Sequence, residues 1–136
     1  MKPDLENASR LAAETLSRYG SSSDPVCPLM MLHRIPGVMV VSYETMSCVI
    51  GEERSSLLTM FGDHDQDAFT SVNIVNGKKQ YLVTYNARLD PDVCRRALAR
   101  ELGHIVLGHD GTRPESVRNE EAERFADALL SSACVI

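Results

Sequence analysis

The dipeptide Asn76-Gly77 limits the fold more than any other feature of the chain. Both residues tolerate positive φ, and a two-residue turn with positive φ at both positions matches the twist of two antiparallel strands. Ala68 to Val75 precede the turn and Gln80 to Tyr85 follow it, both rich in β-branched and apolar residues. A β-hairpin is therefore expected there. Any fold for this chain has to place helices around that hairpin, because most of the remaining sequence carries helical signals.

Leu5, Ala8, Ala12 and Leu16 recur at helical spacing, which predicts a helix from Asp4 to Tyr19 with Gly20 as its stop. Ser21 to Pro25 is expected to be a linker. A short helix is expected from Val26 to Arg34, ended by Ile35-Pro36-Gly37 because the residue before proline is pushed out of the helical region. Val38 to Tyr43 reads as a first strand. Glu44 to Asp67 has no clear pattern beyond a possible helical turn at Ser55 to Met60 and a polar loop at Gly62 to Asp67. The alternating acids of that loop lack the glycine and the final glutamate of an EF-hand, so a solvated loop is expected. Asp90-Pro91 opens a helix running to about Leu107, where Gly108 can end it. Thr112-Arg113-Pro114-Glu115 has the form of a capping box for a last helix to about Leu130. The order predicts a single α+β domain over residues 1–136, with a small antiparallel sheet packed against helices.

Composition narrows the partners. A chain of 136 residues suits one core, and 43% apolar with 24% charged residues is ordinary for a globular domain. A net charge of −5 argues against direct nucleic-acid binding or an anionic membrane, which need a basic face. No apolar run approaches the roughly 20 residues of a membrane span, and Met1 to Glu6 lack the apolar core of a secretory signal. Cys27, Cys48, Cys94 and Cys134 form no Cys-x-x-Cys pair. Reduced thiols in a cytoplasmic protein are the expectation, with disulfides as the lesser alternative.

The chemistry concentrates in Arg100-Glu101-Leu102-Gly103-His104. His-Glu-x-x-His on a helix places two histidines on one face to bind zinc, with the Glu as general base on the metal-bound water. Here Glu101 and His104 are present, and Arg100 occupies the first histidine's place. Arginine stays protonated and has no lone pair for a metal. Arg100, Glu101 and His104 share a face with Val93 and Ala97, so they either line a cleft or find partners, since unpaired buried charge is costly. On the last helix Val117, Glu121, Arg124, Phe125 and Ala128 form one stripe. That turns Glu121 toward the core, where a carboxylate can ligate a metal or meet a cation. The alternative is an exposed acid within Glu120 to Glu123.

The run Arg100-Glu101-Leu102-Gly103-His104, continued by Leu107-Gly108-His109 and then by Glu121-Ala122-Glu123-Arg124-Phe125-Ala126, resembles the ImmA/IrrE family of metallopeptidases. Tyr85-Asn86 and the order of the N-terminal elements extend the likeness over nearly the whole chain. The resemblance implies a zincin-like α+β fold and a zinc-dependent endopeptidase acting on a protein substrate, such as a helix-turn-helix transcriptional repressor. Such domains are often encoded on mobile elements. By position, Glu101 matches the general base, His104 the second zinc ligand and Glu121 the third. Arg100 stands in the degenerate first-ligand position, and Glu123 stands where the family has Asn.

A catalytic zinc usually keeps three protein ligands and an open fourth position. His109 is a possible substitute ligand. It lies about 140° around a continuous helix from His104, and Gly108 can end the helix and swing it inward. A non-catalytic relative that binds a protein partner, with Arg100 replacing the metal charge, is the alternative. In that case the Arg100 guanidinium is expected to pair with Glu121, Glu101 or both, unless it extends to solvent. Without metal, repulsion between Glu101 and Glu121 is expected to raise the pKa of at least one. Cys94, beside Arg95 and Arg96, is weighed as a thiolate nucleophile and read as an inert thiol. His33 and His64 are read as surface or satisfied polar residues.

Overall fold

The computed structural model describes residues 1–20, 26–50, 67–109 and 112–131. The expected linker at Ser21 to Pro25, the possible turn at Ser55 to Met60 and nearly all of the Gly62 to Asp67 loop, including His64, lie outside the described residues. In chain order the elements are α1 (Leu5–Tyr19), α2 (Pro28–Arg34), β1 (Val38–Ser42), α3 (Tyr43–Ile50), β2 (Ala68–Val75), β3 (Lys78–Tyr85), α4 (Pro91–Val106) and α5 (Glu115–Ser131). The α+β class expected from the sequence is the one observed.

Several elements start or end where a local signal places them. The Asp4 carboxylate accepts from Asn7 N–H at 3.0 Å and caps α1. Pro28 opens α2, and Ile35, ahead of Pro36, is extended and ends it. Asn76 and Gly77 have φ of 54° and 76°, the mirror-image turn that joins β2 to β3. Asp90 caps α4 through the Asp92 N–H, followed by Pro91 in the first turn.

The sheet order is β1-β3-β2. β2 and β3 pair antiparallel, from Ala68 opposite Tyr85 to Val75 opposite Lys78. β1 pairs parallel to β3, Val40 opposite Val83, so the sheet is mixed and not wholly antiparallel as expected. The reason is topological. Only β2 and β3 are joined by a tight turn, whereas β1 runs into α3 and a long connection, which permits parallel pairing. Ser42 Oγ accepts from Thr45 N–H at 3.1 Å and starts α3, converting part of the unreadable stretch, and Tyr43 with it, into helix.

One face of the sheet meets the main core. Val40 and Val83 pack there with Leu98, Ala99 and Leu102 of α4, Met31 and Leu32 of α2, and Phe125, Ala126 and Leu129 of α5. Ala8 and Ala12 bring α1 against this cluster. Full burial of a Leu or Phe side chain stabilises by about 1.5–3 kcal/mol, so these few residues hold the helices in place. On the other face Tyr43 and Phe69 meet with ring centroids 5.9 Å apart. Among the described residues no helix is long and apolar enough to cross a membrane.

Candidate functional site

Among the described residues β2 is an edge strand, and α4 crosses beside it. Between β2, α4 and α5 lies a cleft of about 820 Å³, lined by Thr70, Val72, Tyr81, Arg100, Glu101, His104, His109 and Glu123 among others. Four of the five residues singled out from the sequence therefore open on one cleft. The fifth, Glu121, is only 3% exposed and lies behind it, joined to the cleft through His109. The core-facing stripe is thus the outcome for Glu121, and the exposed alternative is not.

Glu101 accepts from Thr70 Oγ1 at 3.3 Å across the cleft. Burial pushes its pKa up to about 7, against smaller lowering by the Thr70 hydrogen bond and the Arg100 charge. The expected rise of one acid is observed, but its cause is desolvation, not repulsion from Glu121. Glu121 moves the opposite way. Burial favours its neutral form, yet the Asp4 N–H, His109 and Arg113 together outweigh burial and lower its pKa.

The helix end explains how His109 reaches the site. Gly108 has φ of 67°, its N–H donates to Ile105 O at 3.2 Å, and the N–H of His109 donates to His104 O at 3.0 Å. This is a Schellman ending, in which the second residue past the cap folds back over the last full turn. His109 and His104 are that pair of positions. Their Nδ1 atoms stand 2.8 Å apart, and His109 Nε2 lies 2.9 Å from Glu121 Oε1. Burial first, then His109, Arg118 and Arg100, lower the pKa of His104 to about 4, so His104 is neutral at ordinary pH.

Arg100 does not pair with Glu121 or Glu101 as expected. Its guanidinium donates to Glu123 at 3.0 Å, with Asp67 4.0 Å away, and the side chains of Arg100 and Glu123 are 37% and 40% exposed. Arg96, one turn earlier, bonds Glu123 and Asp127. Two arginines on α4 thus face two acids on α5. Arg100 and Glu123, the two residues at which the chain differs from the motif it resembles, meet each other. The cation on Glu121 is instead Arg113, which donates to Oε2 at 2.6 Å, while the Asp4 N–H donates to the same oxygen at 2.7 Å. Sequence reading missed Arg113, Asp4 and Thr70 as site residues. Arg113 carried only a capping signal, and no spacing rule links position 4 to position 121.

The donor set does not fit one zinc ion as arranged. Two nitrogens on a tetrahedral zinc stand about 3.3 Å apart, from Zn–N bonds of roughly 2.0–2.1 Å. The 2.8 Å between His104 and His109 is instead a hydrogen-bond distance. His104 and Glu121 lie on opposite edges of the His109 ring and do not converge. Among the described residues no group of three or more His, Cys, Asp or Glu side chains is placed to hold a metal.

The remaining candidates sit apart. Burial and Asp67 push the Cys94 thiol pKa up, which disfavours thiolate despite its arginine neighbours on α4. Among the described residues Cys27, Cys48 and Cys94 are free and His33 is exposed, while Cys134 lies outside the described residues. No family model matches the chain, and neither a curated protein nor a solved structure matches it.

Proposed function

We propose that this chain is a cytoplasmic, ImmA/IrrE-like domain of zincin type that binds a protein partner, with the family's metal-dependent peptidase chemistry set aside. The pairing of Arg100 with Glu123 at 3.0 Å carries the reading. A cation at the first-ligand position and an acid at the family's Asn position satisfy each other, and a protonated guanidinium has no lone pair to offer a metal. The cleft beside edge strand β2 suits an extended segment of the partner, because an unpaired strand edge offers backbone donors and acceptors to an added strand. A helix-turn-helix repressor is the partner class that the resemblance suggests.

One observation favours a zinc endopeptidase instead. Glu101 faces the cleft with a pKa near 7, which suits a general base at neutral pH. Incubating the purified chain with a helix-turn-helix repressor, with and without added zinc, separates the two. Complex formation by size-exclusion chromatography with the repressor left intact is expected. Zinc-dependent cleavage that disappears in Glu101→Gln would establish the endopeptidase and reject the binding reading.

A further inference from the structure

We infer that His109 stands in for a metal ion in this chain, tying His104 to Glu121 and closing the site to zinc independently of Arg100. The inference rests on the ligand positions assigned to His104 and Glu121 under the proposed function. Its geometry stands on its own. His109 fills the space between the two residues and bonds each with a different ring nitrogen, at 2.8 and 2.9 Å. Its side chain is 2% exposed and that of Glu121 4%. The second oxygen of Glu121 is also taken, by Arg113 at 2.6 Å and the Asp4 N–H at 2.7 Å. Both oxygens of the third ligand are therefore engaged before any metal arrives.

The proton order along this line follows from counting. An ionised Glu121 can only accept, so His109 Nε2 carries a hydrogen. Where Nε2 carries the only ring hydrogen of His109, its Nδ1 is bare and accepts from His104 Nδ1–H. His104 Nε2 is left as a lone pair, and among the described residues nothing bonds it. His104 thus keeps one ligand atom free while its other nitrogen is committed to His109. Restoring histidine at position 100 adds a ligand but does not release Glu121.

Two measurements at pH 8 test this. Nitrogen-15 NMR of the histidine side chains in the metal-free parent is expected to show His109 protonated on Nε2 and His104 on Nδ1. Neutral His104 protonated on Nε2 would overturn the inference outright. Calorimetric titration with zinc sulfate then compares Arg100→His with the double variant Arg100→His, His109→Ala. Glu121 must give up its bond to His109 before it can face an ion held on the free Nε2 of His104, so the double variant is expected to bind on the order of tenfold tighter. Equal affinity of the two overturns the inference alone. No zinc binding by the double variant overturns the ligand positions and the inference together. Glu121 keeps Arg113 and Asp4 in the alanine variant, and His109→Asn replaces it should circular dichroism show lost helix.

Discussion

Arg100 and Arg113 show how little residue type says about energetic weight. Both are arginines with a carboxylate partner at 3.0 Å or less. The Arg100–Glu123 pair is more than a third exposed on both sides, and such pairs contribute about 0–1 kcal/mol. Arg113, itself 33% exposed, meets a carboxylate whose side chain is 4% exposed. Without Arg113 that carboxylate keeps the Asp4 N–H and His109, so the loss falls between that of an exposed pair and the roughly 3–5 kcal/mol of a fully buried one. Urea unfolding should therefore show Arg113→Met losing about 1–3 kcal/mol and Arg100→Met less than about 1 kcal/mol. A reversed order would mean that Arg100, not Arg113, is the cation on which the fold depends more. The residue scale also explains why the sequence pointed at the wrong arginine. Arg100 interrupts a recognisable spacing, whereas Arg113 acts across eight residues of turn and helix, where no periodicity applies.

At the scale of elements, the contact between α4 and α5 fixes the site. Gly103 lies on the face of α4 that meets Phe125, and a Cβ added there would stand 3.0 to 3.2 Å from three Phe125 side-chain atoms. Phe125 is fully buried and its own Cβ is among those atoms, so it has little room to retreat. Alanine gains about 1 kcal/mol of helix propensity over glycine, but overpacking a filled core costs about 1–3 kcal/mol. Gly103→Ala is expected to be near neutral to destabilising by about 2 kcal/mol, and Gly103→Val to lose more, by roughly 3 kcal/mol. Thermal unfolding of both variants checks this. A stabilised Gly103→Val would show that the helices separate freely, and the position of Glu121 relative to His104 would then lack a rigid basis. The helix ending at Gly108 belongs to this scale too. A single left-handed residue turns His109 back over His104, and Leu107-Gly108-His109 carried that signal in the sequence.

For the whole molecule, the shifted groups of the cleft predict a pH profile. The folded chain holds the Glu101 proton up to about pH 7 against an ordinary 4.5, so its contribution is full below 4.5 and is lost as pH rises through 7. His104 resists its proton down to about pH 4 against an ordinary 6.5, so its contribution is full above 6.5 and is lost as pH falls through 4. Between 4.5 and 6.5 the two slopes oppose each other, and the parent's stability should be nearly level there. Glu121 and Glu123, both lowered, lose their contributions below that window. Glu101→Gln removes the falling slope, and the variant's stability should then rise with pH by up to about 1.4 kcal/mol per unit. Urea unfolding across the window decides it. A variant as level as the parent would mean that Glu101 titrates like an exposed acid.

Local signals in the sequence determined most of the elements. Asn76-Gly77 set the hairpin, Asp4 and Asp90 the starts of α1 and α4, and Pro36 the end of α2, because each acts on its own backbone within a few residues. The residues of the cleft were legible for the same reason, as helical spacing alone puts Glu101 and His104 on one face. The start of α3 at Ser42 was within reach as a side-chain cap on Thr45 but was masked by the apolar run before it. Strand direction was not legible, since alternation along β1 is the same whichever way it pairs. Nor were the partners of the charges. Arg100 with Glu123, Arg113 and the Asp4 N–H with Glu121, and His109 between His104 and Glu121 are decided by which helices stand side by side. A charge carries its sign in the sequence, but its burial and its nearest opposite charge exist only once the core has placed the helices.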